Sequence, residues 1–288
     1  MPAEILTGAP VAEALSQNLK SRVEALRRRG VVPCLGMIRV GERPGDLSYE
    51  RSATRRCEQL GIVLDSHVLP EDVSQDALLE VIDELNGKSS VHGILFFRPL
   101  PVGMDERVIC DAIAPQKDVD GVSSLSMAQV YMGEENGFFP CTAQAVIEML
   151  HHYGIGICGK RAVIVGRSLV TGRPAALLLL REHATVTLCH TRTRELASLT
   201  REAELIVTAT GHINTLTREH LRPGQVVIDI GITYDEERKK LCGDVDHDAA
   251  EEIVSAISAV PGGIGAVTST VLASHVVEAA EHLTEGQP

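Results

Sequence analysis

The chain lacks tryptophan altogether, and its aromatic residues amount to only 3% of 288. With rings so scarce, any cluster of them demands an account. A basic surplus is also missing. The net charge of −12 argues against nucleic acid as a partner, because binding the phosphate backbone needs a basic face. No apolar run has the length of a membrane span, and the opening MPAEILTGAP has no basic-then-apolar signal pattern, so the expectation is a cytoplasmic protein with no membrane partner. The seven cysteines (34, 57, 110, 141, 158, 189 and 242) are odd in number and form no C-x-x-C. That pattern excludes a disulfide framework and a paired-cysteine zinc site, and suits reduced thiols. The eleven histidines form no H-E-x-x-H. The nearest metal-like group is Asp244, Asp246, His247 and Asp248. It reads as a solvated acidic loop, and no metal is expected. What remains, 44% apolar and 23% charged, is ordinary for a globular protein, and the length allows two domains.

Apolar segments of two kinds alternate along the chain. PCLGMIRV, IVLDSHVL, VHGILFF, RAVIVG, ATVTLCH, ELIVTATG, QVVIDIGI and SAISAVPGG read as strands. Between them, APVAEALSQNLKSRVEALRRRG, DLSYERSATRRCEQLG, SQDALLEVIDELNG, TAQAVIEMLHHYG, TGRPAALLLLREH and TRELASLTREA read as helices. Such alternation predicts an α/β fold built on parallel sheets. Asp46 is placed as the N-cap and Gly61 as the C-terminal stop of the second helix; Ser74 opens the third and Gly87 closes it. Residues 114–140 have the weakest periodicity and form the seam between two α/β halves.

Two of the four phenylalanines stand side by side in VHGILFFRPLP, residues 91–101. Side chains alternate faces along a strand, so Phe96 and Phe97 point opposite ways. One serves the core. The other ring is either a second core residue or part of a ligand site, since open α/β sheets bind ligands at strand ends.

KRAVIVGRSLVTGRPAALLLL is strand, glycine turn, then helix. Gly166 ends the strand, Gly172 begins the helix, and Pro174 lies in the first turn, where proline is tolerated. A helix N-terminus met by glycines suits a phosphate, although the spacing is not the usual G-x-G-x-x-G. A tight turn with no ligand is the alternative. The next strand ends LCHTRTREL, with no carboxylate before Glu195 to bind ribose hydroxyls. Arg167, Thr191 and Arg192 suit an additional phosphate instead, hence NADP rather than NAD; solvated surface arginines are the other reading.

In the first half, Tyr49 and Ala53 are four apart and share a helix face, and Asp120 precedes a glycine in QKDVDGVSS. AVPGGIGAVTS sets Pro261, Gly262 and Gly263 before the last helix. Alone, each of these reads as an ordinary turn or helix feature.

Together the segments resemble the methylenetetrahydrofolate dehydrogenase/cyclohydrolase family. VGERPGDLSYERSATRRCEQLGI is similar to the family's VG-x-x-P-x-S-x-x-Y-x-x-x-K-x-x-x-C, GILFFRPLP to GILVQLPLP, PQKDVDGV to PxKDVDGF, PCTA to PCTP and GRSLVTGRP to GRSxxVGxP. IDIGI, GDV and VPGGIGAVT are similar to IDVGI, GDV and VPGGVGPMT. The resemblance runs along nearly the whole chain in order. It implies two α/β domains with a cleft between them: a folate-type catalytic domain of residues 1–141 plus 268–288, and a Rossmann-like NADP domain of residues 142–267. It also implies a homodimer, and a last helix that returns to the first domain.

The resemblance further implies the site residues. Tyr49 stacks on a reduced folate and Asp120 binds its pterin, these two forming the catalytic pair. Phe97, Pro99, Leu100, Pro261, Gly262 and Gly263 line the substrate. Gly166, Arg167, Ser168, Gly172, Thr191, Arg192, Gly211, Ile232 and Thr268 take the cofactor. The family's catalytic lysine falls on Ala53, and the glutamine that holds it falls on Phe97. Asp46, Ser123-Ser124, Ala143 and Ala266-Val267 also depart from the motifs. Three readings follow. The first is an NADP-dependent methylenetetrahydrofolate dehydrogenase with a weakened or lost cyclohydrolase. The second is an oxidoreductase of the same fold acting on another substrate. The third is a non-catalytic relative that binds a nucleotide or folate.

Overall fold

A computed structural model describes residues 2–134 and 137–285. The first half runs through β1 (Glu4–Leu6), α1 (Gly8–Arg28), β2 (Cys34–Val40), α2 (Pro44–Leu60), β3 (Val63–Leu69), α3 (Gln75–Gly87), β4 (Gly93–Phe96), α4 (Glu106–Asp111) and α5 (Ser124–Met132). The second runs through α6 (Cys141–His152), β5 (Arg161–Val165), α7 (Gly172–Arg181), β6 (Thr185–Cys189), α8 (Leu196–Glu202), β7 (Leu205–Thr208), β8 (Val226–Asp229), β9 (Thr233–Asp235), β10 (Lys240–Cys242), α9 (His247–Ile253), β11 (Ala256–Ser258) and α10 (Ile264–Glu285). Among the described residues no helix is long and apolar enough to cross a membrane.

The chain divides into two compact units. One joins the described residues up to Ala12 with Thr142–Thr268; the other joins Glu13–Cys141 with the described residues from Ser269. The start of the chain and Thr268, both expected in the first domain, cluster with the second half. Residues up to Ala12 belong with the second half because β1 pairs in parallel with β11, Ile5 opposite Ile257. A three-residue strand is too short to display a period, and its partner lies far along the chain. Residues 286–288, expected in the first domain, lie outside the described residues.

In the unit of residues 13–141, three parallel strands lie in the order β3-β2-β4. Every residue of β2 is buried, as expected of a central parallel strand covered on both faces. Ile38, Val40, Ile94 and Phe96 pack with Leu78, Ile82 and Leu85 of α3 in one core. Gly61 stops α2 in the left-handed conformation, φ 76°, and Ser74 caps α3 by accepting from the Ala77 amide. The start of α2 differs from the expected one: Arg43 holds the cap position, and Asp46 lies buried in the first turn, ion-paired to Arg43 at 2.7 Å. Pro44 moves the start upstream because its fixed φ suits the first helical turn.

In the other unit, six parallel strands lie in the order β1-β11-β8-β7-β5-β6, with β9 and β10 as a separate antiparallel pair. The core gathers Val163, Val165, Ile206, Val227 and Ile257 from successive strands. The chain places β6 on one side of β5 and β7 on the other. That reversal is the topological switch point at which open α/β sheets bind ligands.

Candidate functional site

The small sheet has a switch point of its own. β3 pairs with one edge of β2 and β4 with the other. Phe96 joins the core on one face of the strand. Phe97, 4% exposed, takes the opposite face, and its amide donates to the Ile38 carbonyl at 3.1 Å. Its ring meets Tyr49 edge to face, with centroids 5.7 Å apart and planes at 82°. Tyr49, Ala53 and Cys57 recur every four residues along α2 and so share a face. Ala53 and Cys57 are buried, and Tyr49 is half-buried. Burial drives the Tyr49 hydroxyl well above its ordinary pKa, and the Asp120 carboxylate adds to the rise. Burial pushes the Cys57 thiol up to about 12. This face therefore offers a neutral phenol, a methyl group and a neutral thiol, and no group ready to take a proton at neutral pH.

The turn QKDVDG distributes its charges between support and site. Lys117 is buried and donates to the carbonyls of Leu85, Asn86 and Lys88 at the end of α3, at 3.0, 2.8 and 2.7 Å. Asp118 is fully buried and accepts from the Val122 and Ser123 amides and the Ser126 hydroxyl, which fixes the start of α5. Val119 packs where Gly93 has no side chain; a Cβ there would lie 2.6 Å from the valine methyl. The Val119 carbonyl accepts from Cys141 Sγ at 3.2 Å and His275 Nδ1 at 2.8 Å. Gly121 turns the chain at φ 63°, where a Cβ would lie 2.6 Å from the Phe138 carbonyl oxygen. Asp120 faces Arg98 and the Cys141 thiol. Its carboxylate lies 3.6 Å from the Arg98 guanidinium. Burial pushes its pKa up to about 6, while Arg98 and the Cys141 thiol hold it lower. Pro99, exposed, and Leu100, half-buried, follow Arg98 in the chain. Sequence reasoning missed Arg98. Its signal was a charge set directly after an apolar strand, in a stretch otherwise read for its rings.

At the larger sheet's switch point, the loops after β5 and β7 touch. Gly166, φ 124°, lies so close to Ala209 that a Cβ would fall 2.3 Å from the carbonyl oxygen, and a Cβ on Gly172 would fall 2.1 Å from the Gly166 carbonyl oxygen. Both glycines are thus required by the turn itself. Ser168 Oγ accepts from the Thr171 and Gly172 amides at 3.1 and 3.4 Å, which occupies part of the start of α7. Around this cradle Arg167 and Ser168 are exposed, as are Thr191 and Arg192 beyond the neighbouring strand β6. The Arg192 amide donates to His190 Nδ1 at 3.0 Å, which sets the turn carrying both residues. The exposed polar side chains, rather than the glycines, are what suit a phosphorylated ligand.

Gly211 (φ 68°) and the exposed Ile232 lie on the loops after β7 and β8. Two buried carboxylates hold these loops. Asp229 accepts from the Thr208 hydroxyl and the amides of Gly231, Asp244 and Val245, at 2.9–3.1 Å. Asp244 accepts from the Thr210 and His212 amides at 2.5 and 3.1 Å. Asp246 caps α9, its carboxylate accepting from the Ala249 amide. Two members of the acidic group in the sequence are therefore structural acceptors. Among the described residues no group of three or more His, Cys, Asp or Glu is arranged to hold a metal. Gly262 (φ 98°) accepts through its carbonyl from the Gly8 amide at 2.8 Å, Gly263 is buried and Pro261 exposed. Thr268 is buried with its hydroxyl donating to the Ile264 carbonyl.

A parallel sheet carrying a glycine-lined loop at its switch point defines a Rossmann-like nucleotide-binding protein, here with a second α/β unit built on a three-stranded sheet. Residues 6–120 match the catalytic-domain model, and residues 140–284 the NAD(P)-binding-domain model, of tetrahydrofolate dehydrogenase/cyclohydrolase. The chain belongs to that family. It is 48% identical over 282 residues to the bifunctional protein FolD of Carboxydothermus hydrogenoformans, covering 98% of each chain. It is similar to the crystal structure of the Campylobacter jejuni bifunctional FolD enzyme, a methylenetetrahydrofolate dehydrogenase/cyclohydrolase (TM-score 0.94, 37% identity, 97% of this chain and 99% of that one). It is also similar to the Trypanosoma brucei enzyme complexed with NADP cofactor and inhibitor (TM-score 0.94, 33% identity, 99% and 100%).

Proposed function

We propose that the protein oxidises 5,10-methylenetetrahydrofolate with NADP, and that its hydrolysis of the methenyl product is weak or lost. The observation that carries this reading is the pairing of Tyr49 and Phe97 over a helix face whose next position is the fully buried Ala53, beside a retained Asp120. The family's lysine and glutamine fall on Ala53 and Phe97. A glutamine left without its lysine would be a buried polar group lacking a partner, at a cost of about 1–3 kcal/mol. Replacing both together avoids that penalty.

In this reading Tyr49 lies against the flat part of the folate and Asp120 accepts from the amino nitrogens of its pterin. Pro99, Leu100, Pro261, Gly262 and Gly263 bound the ligand, as the family's motifs imply. Arg167, Ser168, Thr191 and Arg192 hold the cofactor's phosphates, with Gly166, Gly172, Gly211, Ile232 and Thr268 around it. NADP supplies the hydride acceptor: a hydride leaves the methylene carbon and the folate becomes the methenyl cation. Hydride transfer depends mainly on orienting two bound partners, so it can outlast the loss of a proton-transfer group. The NADP named with the Trypanosoma brucei relative supports the choice of cofactor. A cytoplasmic homodimer is part of the same reading.

The decisive experiment is a spectrum of the purified protein with methylenetetrahydrofolate and NADP. Reduced cofactor should appear, and the methenyl absorbance should persist. No reduction with any cofactor would overturn the reading. Within the same assay, Arg167→Ala should raise the KM for NADP at least tenfold, since charge-assisted contacts to phosphate contribute about 1.5–3 kcal/mol each. The KM for NAD should change little. Equal use of NAD and NADP by the unmodified protein would count against the role given to Arg167.

A further inference from the structure

We infer that Arg98 is a positioning residue of the folate site, which holds the Asp120 carboxylate in place and keeps it charged. The ligand in this inference rests on the function proposed above; the action of Arg98 on Asp120 does not. Arg98 follows Phe97 at the end of β4, with its side chain only 14% exposed. One nitrogen lies 3.6 Å from Asp120 Oδ2 and another 3.5 Å from Glu106 Oε1 on α4. The guanidinium carbon stands 5.9 Å from the centre of the Phe96 ring, within reach of a cation–π contact. Three contacts from three directions leave it little freedom. The family's segment reads leucine at this position, so the cation belongs to this chain. A chain without the lysine at position 53 has a guanidinium at position 98.

A guanidinium stays protonated in a protein and accepts no proton. Arg98 therefore cannot replace a lysine as acid or base; it can only orient and neutralise. Asp120 needs that service. Its side chain is 18% exposed, and a desolvated carboxylate without a counter-charge takes up a proton. A protonated carboxyl turns one acceptor oxygen into a donor, the wrong polarity for the amino groups of a pterin. The other groups acting on Asp120 offer no positive charge. Tyr49 on α2 and Cys141 on α6 are held neutral by burial, and Asp118 in the same turn is an acid. Arg98 in turn acts on Cys110 of α4, which burial pushes up to about 12, and faces Glu106. Arg98 is the one cation among these named groups.

The test uses Arg98→Leu and Arg98→Lys in the full chain. With carbon-13 in the aspartate carboxyl groups, the Asp120 signal, assigned by its absence in Asp120→Asn, is titrated in the free protein. Arg98→Leu should move its midpoint up by about one pH unit, in line with the usual effect of an opposite charge within about 4–6 Å. Arg98→Lys should stay with the parent. In turnover, Arg98→Leu should raise the KM for the folate about fivefold at pH 6, the change in ionised fraction for a one-unit shift. The difference should vanish above pH 8, with the KM for NADP unchanged at every pH. An unmoved midpoint in Arg98→Leu overturns the inference. If that variant does not fold, Glu106→Gln decides instead: with one acid removed the Asp120 midpoint should fall, and a rise overturns the inference. If the midpoint moves as expected and no reduced folate binds the parent, Arg98 keeps its role and the proposed function fails.

Discussion

Methenyltetrahydrofolate mixed with the purified protein should decay no faster than in buffer alone. The substrate is already a cation, and attack by water needs a group that takes a proton and passes it on. Positioned acid/base groups contribute about 10²–10⁴-fold, and that factor is what the protein should lack. The face of α2 that would provide it carries the neutral Tyr49 hydroxyl, the Ala53 methyl and the Cys57 thiol, all held uncharged by burial or by chemistry. Arg98, the nearby cation, does not give up its proton. Ala53→Lys alone should not restore hydrolysis. Position 53 is fully buried, so the new amine would enter without solvent and without the amide that holds it in the family. The single variant should also melt at a lower temperature than the parent. Ala53→Lys with Phe97→Gln should recover part of the activity, since the amide then gives the amine its partner. The assay is methenyl absorbance against time at a pH where spontaneous hydrolysis is slow. Rapid enzyme-dependent decay with the unmodified protein would mean that another group has taken the lysine's place.

Asp120→Ala should lower kcat/KM for the folate by about a hundredfold or more and leave the Kd for NADP unchanged. Hydrogen bonds to a charged group contribute about 1.5–3 kcal/mol each, and a pterin edge offers more than one donor. The pH dependence carries a second signature. The Asp120 carboxyl titrates near 6 because burial disfavours its charge. Folate affinity should accordingly fall as the pH drops through 6, where the acceptor becomes protonated. Stability runs the other way. For an acid whose folded pKa lies above its unfolded value, the folding advantage is present below the unfolded pKa, near 4, and is lost as the pH rises through 6. Asp120→Asn removes the ionisation and should leave the melting temperature at pH 7.5 no lower than the parent's, while binding is lost. A site residue kept at a cost to stability behaves in this way. Calorimetry and thermal melts of the two variants measure both sides. A clear loss of stability in Asp120→Asn at pH 7.5 would assign this carboxylate a structural role like that of Asp118.

Strand and helix alternation determined the fold class, because a period of two or of 3.6 residues is a property of neighbours along the chain. The strand β2, the helix stop at Gly61 and the Ser74 cap were legible for the same reason. So was the helix face shared by Tyr49 and Ala53. The glycine turn at Gly166–Gly172 was legible from its residues, and the ordered motifs added the family and with it the role expected of Asp120. Tertiary structure alone decided which partners the residues of a motif take. Lys117, Asp118 and Asp120 stand within four residues, yet one caps α3, one caps α5 and one faces Arg98. Those partners are 4 to 32 residues away in the chain, and the far ones, on α3 and at Arg98, lie at separations no local pattern records. The same limit hid the pairing of β1 with β11, the anchoring of the loops after β7 and β8 on Asp229 and Asp244, and the role of Arg98. Phe97 shows the division most plainly. Alternation set it on the face opposite Phe96, and only the packing of α2 across the end of β4 made Tyr49 its partner.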